Sequence, residues 1–279
     1  MIMELQTKVN IESSLFKIEP QHHLLFVGSC FADNIGRKFT DWQFRTIANP
    51  YGVMYNPASV LHTIKRWTLE PYTDDDDATP RCRPDVAIFT LGTNHVYILN
   101  ETGEIVDNCQ KRPQKLFTEK ILSIKECADY LCQAVDILRR LNTQVRVIIT
   151  VSPIRYAKYG FHASQLSKAS LLLAAEEVTQ KYNCVTYFPA YEIVNDELRD
   201  YRFYKPDMLH PSEQAVDYIF QRFCDTYLAE DSIRFMQEWQ PIQKALTHRP
   251  FNPEDPEYKR FIDDAHKKEE AFKKKWLCR

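Results

Sequence analysis

The chain of 279 residues is 44% hydrophobic and 27% charged, enough for one large α/β domain with an appendage, and its 6 glycines and 13% aromatics exclude a repeat or low-complexity protein. Lys and Arg (36) nearly balance Asp and Glu (38), so no global charge invites nucleic acid. No apolar run approaches a membrane span, and residues 1–17 lack a basic stretch followed by a long apolar core, so neither a membrane partner nor a secretory signal is expected. The eight cysteines (Cys30, Cys82, Cys109, Cys127, Cys132, Cys184, Cys224 and Cys278) form no Cys-x-x-Cys pair and sit mostly in apolar segments. That usage predicts reduced thiols in a cytoplasmic compartment, with neither a zinc site nor a disulfide framework.

In chain order, Leu24-Leu25-Phe26-Val27 is an apolar run ended by Gly28, by two nucleophiles, Ser29 and Cys30, and by an amphipathic stretch. The pattern is a buried strand, a sharp turn and a helix start. Unpaired N–H groups at a helix start bias a thiol there towards thiolate. Residues 44–48 read as a second strand, followed by Asn49-Pro50-Tyr51-Gly52, and 57–70 as a helix with Pro57 in its first turn. Residues 73–80, with aspartate at 74–77, form a solvated loop. A third strand over 85–91 ends at Gly92-Thr93-Asn94, and 95–106 forms a hairpin over the site. Then come an amphipathic helix (118–141), a fourth strand (145–151), a helix (164–182), a fifth strand (184–188) and a short helix (191–198). The aromatic-rich loop 200–206 leads into Asp207-Met208-Leu209-His210-Pro211, and Ser212 caps a helix running to about residue 228.

Strands alternating with helices imply a parallel sheet wrapped on both faces. The reading is an α/β domain over 1–230 and a charged helical C-terminal extension over 231–279. The extension has too few core residues to fold alone and is expected to be dispensable to the sheet.

Open parallel sheets carry their sites at the carboxyl ends of the strands. The candidate groups there are Gly28-Ser29-Cys30, Gly52, Gly92-Thr93-Asn94 and Asp207-x-x-His210. Acyl transfer needs a nucleophile, a base, a group that orients the base, and oxyanion donors. Ser29 or Cys30 attacks, His210 moves the proton and Asp207 holds the imidazole. The N–H of the nucleophile turn, the Gly52 N–H and the Asn94 amide supply the oxyanion hole. Arg155, His162, Arg202 and Tyr204 lie on loops at the same edge and could hold an acid or sugar group. No metal and no cofactor is required.

The residues Gly28-Ser29-Cys30-Phe31-Ala32 are those for which the GSCFA-domain family is named. Thr90-Leu91-Gly92, Val151-Ser152-Pro153, Ser167-Lys168-Ala169, Tyr187-Phe188-Pro189, Arg199-Asp200-Tyr201-Arg202-Phe203-Tyr204 and Asp207-x-x-His210-Pro211-Ser212 also resemble that family, over about residues 20–228. The family is in turn similar to the SGNH (GDSL) hydrolases, whose blocks are Gly-Asp-Ser, Gly, Gly-x-Asn and Asp-x-x-His. The resemblance implies a flavodoxin-like three-layer α/β/α fold with a five-stranded parallel sheet, order 2-1-3-4-5. It also implies esterase or acyltransferase chemistry on acylated carbohydrates or lipids. The chain departs from the SGNH pattern at the nucleophile. In register, Cys30 takes the serine position and Ser29 the aspartate position. Asn108, just after the hairpin, is a second candidate for the oxyanion amide. The expected function is hydrolysis of an acyl ester of a small molecule or carbohydrate. The alternatives are an acyltransferase using an acyl thioester such as acetyl-CoA, and a non-catalytic carbohydrate-binding or scaffold domain. The sequence leaves the oligomeric state open.

Overall fold

The structure, a computed structural model, describes residues 6–14, 16–69, 83–252 and 255–277. The aspartate-rich loop expected at 73–80, together with Cys82 and Cys278, lies outside the described residues. The first unit is β1 (His23–Gly28), α1 (Cys30–Asp41), β2 (Arg45–Ala48) and α2 (Pro57–Leu69). β3 (Val86–Leu91) follows, then three short strands, β4 (His95–Leu99), β5 (Ile105–Val106) and β6 (Phe117–Ile121). The second half runs α3 (Ile124–Leu141), β7 (Arg146–Val151), α4 (Gly160–Lys181), β8 (Val185–Tyr187) and α5 (Ala190–Glu192), which continues as a wider helical turn over Ile193–Leu198. α6 (Glu213–Tyr227), α7 (Glu230–Leu246) and α8 (Pro256–Trp276) complete the chain.

Five strands form one all-parallel sheet, β2-β1-β3-β7-β8. This is the order expected from the sequence once the small antiparallel sheet β5-β4-β6 is set aside. Side chains alternate between the two faces, as the strand period of two requires. Leu25, Val27, Ala87, Phe89, Val147 and Ile149 pack with α2, α3 and α4 on one face. Leu24, Phe26, Val86, Ile88 and Ile148 pack with α1, α6 and α7 on the other.

One element differs in kind. The helix expected over 118–141 begins only at Ile124, and 117–121 is strand β6, paired antiparallel with β4. Ser123 and Glu126 form a reciprocal capping box, each side chain bonding the other's backbone N–H, which fixes the helix start. The hairpin therefore has a third strand.

The extension is two helices packed on each other and on the sheet domain. Phe235 is buried against Phe44 at a ring separation of 5.1 Å and against Phe272 at 4.8 Å. The last carbonyls of a helix have no partner within it. The Asp41 carbonyl at the end of α1 accepts from the indole N–H of Trp239 and the amide of Gln243, both at 2.9 Å. Trp239→Phe deletes one of these bonds and leaves part of the buried indole's space empty, and is expected to cost roughly 2 kcal/mol or more. A denaturant midpoint unchanged from wild type would mean that the contact does not help hold the extension to α1.

Candidate active site

β1 enters the site at Gly28, whose φ of +149° suits glycine and whose absent Cβ would lie 2.2 Å from the Thr90 carbonyl oxygen. The Ser29 N–H donates to that carbonyl at 2.9 Å, so the turn is pressed onto the end of β3. Ser29 is the N-cap of α1. Its Oγ accepts from the Phe31 N–H at 3.3 Å, lies 3.2 Å from Thr90 Oγ1, and the residue is fully buried. Ser29 is thus occupied as a helix cap. Cys30, the first residue of α1, is half-buried.

The thiol is not the pre-formed thiolate that a helix start suggests. Burial pushes the Cys30 thiol up, and Asp33 in the same helical turn adds to this. Its own backbone N–H, Lys205 and Lys168 pull the other way without prevailing.

Asn49, at the end of β2, is a residue that sequence reasoning treated only as part of a turn. Its Oδ1 accepts from the Gly28 N–H at 2.8 Å and its Nδ2 donates to Asp33 Oδ1 at 2.7 Å. It ties the strand end to the first turn of α1.

Asp207 and His210 are brought together as expected. His210 Nδ1 lies 2.6 Å from Asp207 Oδ2. Asp207 Oδ1 accepts from the backbone N–H groups of Leu209 (2.8 Å) and His210 (3.0 Å). These two backbone bonds and the imidazole hold the carboxyl down at about 2. With Nδ1–H given to Asp207, Nε2 is the ring nitrogen left to accept a proton. Lys205, at the start of the same loop, is near enough to Cys30 to act on its thiol.

Arg155 fastens this loop to the end of β7. Its backbone N–H donates to the Leu209 carbonyl and its Nη1 to the Met208 carbonyl, both at 3.0 Å, while the guanidinium lies 4.3 Å over Phe161 and 5.4 Å over Tyr204. Its guanidinium, expected to hold substrate, is engaged in positioning the loop. Tyr204 is half-buried and bridges to Pro211 across that loop. Arg202 is exposed, and its Nε lies 3.8 Å from Asp200. His162 is exposed in the first turn of α4.

The expected oxyanion donors are mostly spoken for. The Gly52 N–H donates to the Asn49 carbonyl at 2.9 Å. The Asn94 amide donates to the Leu122 carbonyl at 2.8 Å, and Leu122 belongs to the β6–α3 connection, inside the span where the sequence pattern predicts helix. Asn108 is exposed, accepts from the Gln110 N–H at 2.7 Å, and lines a cleft together with Gly52.

Two groups beside Cys30 were missed. Lys168 is fully buried on α4, its Nζ 2.7 Å from both the Gly92 and Ser152 carbonyls, so it ties together the ends of β3 and β7. Burial pushes its amine down to about 7, opposed by Cys30. Tyr156 has a buried hydroxyl that meets no hydrogen-bond partner among the described residues. A Cβ on Gly92 would sit 2.8 Å from that hydroxyl, and burial, with Tyr55 and Cys30 nearby, keeps the phenol protonated.

Among the described residues no cluster of three or more His, Cys, Asp or Glu side chains is disposed to hold a metal ion, and no helix is long and apolar enough to cross a membrane.

The chain is similar to a member of the lipolytic protein G-D-S-L family from Veillonella parvula, at 12% identity over 74% of this chain and 97% of that one, TM-score 0.47. It is similar to a carbohydrate esterase family 3 protein from Talaromyces cellulolyticus, at 12% identity over 78% and 99%, TM-score 0.44. It is also similar to a catalytic mutant of an acetylxylan esterase from Geobacillus stearothermophilus, at 14% identity over 76% and 96%, TM-score 0.45. No curated protein matches the chain. A profile described as the C-terminal domain of GSCFA domain proteins matches residues 239–277. The profile of the GSCFA family itself matches residues 23–80 and 81–223, which carry both the Cys30 turn and the His210 loop, and the chain therefore belongs to the GSCFA family.

Proposed function

We propose that the protein is an acyl-ester hydrolase with Cys30 as nucleophile, His210 as base and Asp207 as the group that orients it. The observation that carries this reading is the 2.6 Å His210–Asp207 pair on a loop stapled to the sheet edge, with Lys205 of that loop within electrostatic reach of Cys30. Ser29 is set aside as nucleophile because its Oγ is buried and capping α1.

Because the thiol rests protonated, His210 Nε2 takes its proton as Sγ attacks the ester carbonyl. The tetrahedral intermediate collapses as His210 returns that proton to the leaving alkoxide, which departs as alcohol, with the acyl group left on Sγ as a thioester. A water, deprotonated by His210, then attacks the thioester. The carboxylic acid is released and the thiol restored. The oxyanion formed in each half is best served by the Cys30 N–H at the start of α1 and by the Tyr156 hydroxyl, a buried donor with no hydrogen-bond partner among the described residues.

The test is hydrolysis of a short aryl acetate by purified variants. Cys30→Ala is expected to fall by roughly 10²-fold or more, as loss of the attacking group demands, while Ser29→Ala keeps most of its rate per folded molecule. The reverse pattern would move the nucleophile to Ser29. Variants all equal to buffer and to wild type would leave a binding domain.

A further inference from the structure

The loop that carries His210 also carries Lys205, and its backbone fixes where the two stand. Tyr204 and Pro211 face each other as an antiparallel bridge. On the turn side of that bridge the Lys205 N–H donates to the His210 carbonyl at 2.7 Å, and on the other side the Ser212 N–H donates to the Phe203 carbonyl at 2.7 Å. Lys205 and His210 are therefore opposite one another, and opposite residues of an antiparallel pair carry their side chains on the same face. The Met208 N–H, bonded to the Lys205 carbonyl at 2.8 Å, closes the turn between them. The face that holds the imidazole thus also holds an ammonium. Cys30 feels that charge, and Lys205 acts on its thiol ahead of the buried Lys168.

Lys205 is exposed, and among the described residues no carboxylate pairs with its ammonium. The acids around it are engaged elsewhere. Asp207 is bonded to His210 at 2.6 Å, Asp200 accepts from the Arg202 N–H at 2.8 Å, and Asp33 accepts from the Asn49 amide at 2.7 Å. An exposed lysine ordinarily does no more than keep a surface solvated. This one stands beside both the nucleophile and the base, where its charge is left for a bound molecule.

We infer that Lys205 receives an anionic group borne by the substrate close to its ester, so that this site takes acyl esters of acidic molecules. That the anion belongs to an ester rests on the hydrolase reading above, whereas the preference for an anion beside Cys30 does not.

The test is alkylation of Cys30 in the full-length protein by iodoacetate, an anion, and by iodoacetamide, its neutral counterpart, with mass mapping of the Cys30 peptide. Both reagents attack through the thiolate, so the ratio of their rates is independent of the thiol's ionisation and reports the charge beside Sγ. At about pH 8 Lys168, pushed down to about 7 by burial, has lost most of its charge. The ratio of iodoacetate to iodoacetamide rates at Cys30 is expected to stand roughly 5-fold or more above that of the urea-unfolded chain, to fall back by as much in Lys205→Gln, and to persist in Lys205→Arg. The side chain is exposed, so both variants should keep the wild-type circular dichroism spectrum. A ratio no higher than in the unfolded chain, an unchanged ratio in Lys205→Gln, or no reaction of Cys30 with iodoacetate would overturn the anion site.

Hydrolysis then places the charge. Phenyl hemisuccinate carries it on the acyl side, acetylsalicylate on the alcohol side, and phenyl acetate carries none. Lys205→Gln is expected to lower kcat/KM for one of the charged esters roughly 5-fold more than for phenyl acetate, and that ester shows which side the anion occupies. Equal losses on all three would overturn the substrate class. A raised alkylation ratio with no hydrolysis of any ester would instead sink the hydrolase reading and leave the anion site standing.

Discussion

Replacing His210 by alanine is expected to lower kcat/KM for an aryl acetate by roughly 10²–10⁴-fold, the usual worth of a positioned general base. Burial holds the Cys30 thiol above its ordinary range, so little thiolate is present at neutral pH and the base is needed at the moment of attack. In His210→Ala solvent must remove that proton. Its residual rate is therefore expected to climb roughly tenfold per pH unit up to the thiol's raised pKa. The wild-type profile should show no acid limb from Asp207 above about pH 3, because the carboxyl is held at about 2 and is already ionised. A His210→Ala rate within about twofold of wild type, with the same pH profile, would remove the base from the mechanism.

Gly28→Ala is expected to have the largest effect on stability. The added methyl group would stand 2.2 Å from the Thr90 carbonyl oxygen, on a backbone at φ +149° that side chains rarely adopt. The Ser29 N–H bond to that same carbonyl, at 2.9 Å, prevents β1 from simply moving away. Overpacking costs ~1–3 kcal/mol and the strained backbone a further ~1–3 kcal/mol, so the loss should be roughly 2–6 kcal/mol. Because the strain falls on the turn that presents Cys30, whatever folded protein remains should also lose activity. An unfolding free energy lowered by less than about 0.5 kcal/mol in denaturant titration would show that β3 yields easily to the turn.

The sheet was legible because each strand is a short apolar run bounded by a turn, and parallel strands buried on both faces leave that trace. The Asp207–His210 pair was legible because three-residue spacing on a turn brings both side chains to one side. What escaped depended on contacts distant in sequence. β6 carries Thr118-Glu119-Lys120, polar residues that suit the exposed side of a helix as well as an edge strand, and only its pairing with β4 decides between them. Missing β6 also hid the Leu122 carbonyl that takes the Asn94 amide. The Gly52 N–H was lost to a local turn with Asn49, invisible until the positive φ values of both residues are known. Lys168 did leave a signal. Ser164, Ser167, Lys168, Leu171, Ala174, Ala175 and Val178 are the buried stripe of α4, and a lysine inside an otherwise small or apolar stripe calls for acceptors in the core.

The central claim is that the acyl group passes through Cys30. The most direct measurement is to mix wild-type protein with excess aryl acetate, quench in acid during turnover, digest, and map the acetyl group by mass spectrometry. The account predicts acetyl on Cys30 as a thioester removed by neutral hydroxylamine, and none at that position in Cys30→Ala. Acetyl on Ser29, or catalytic turnover persisting in Cys30→Ala, would contradict it.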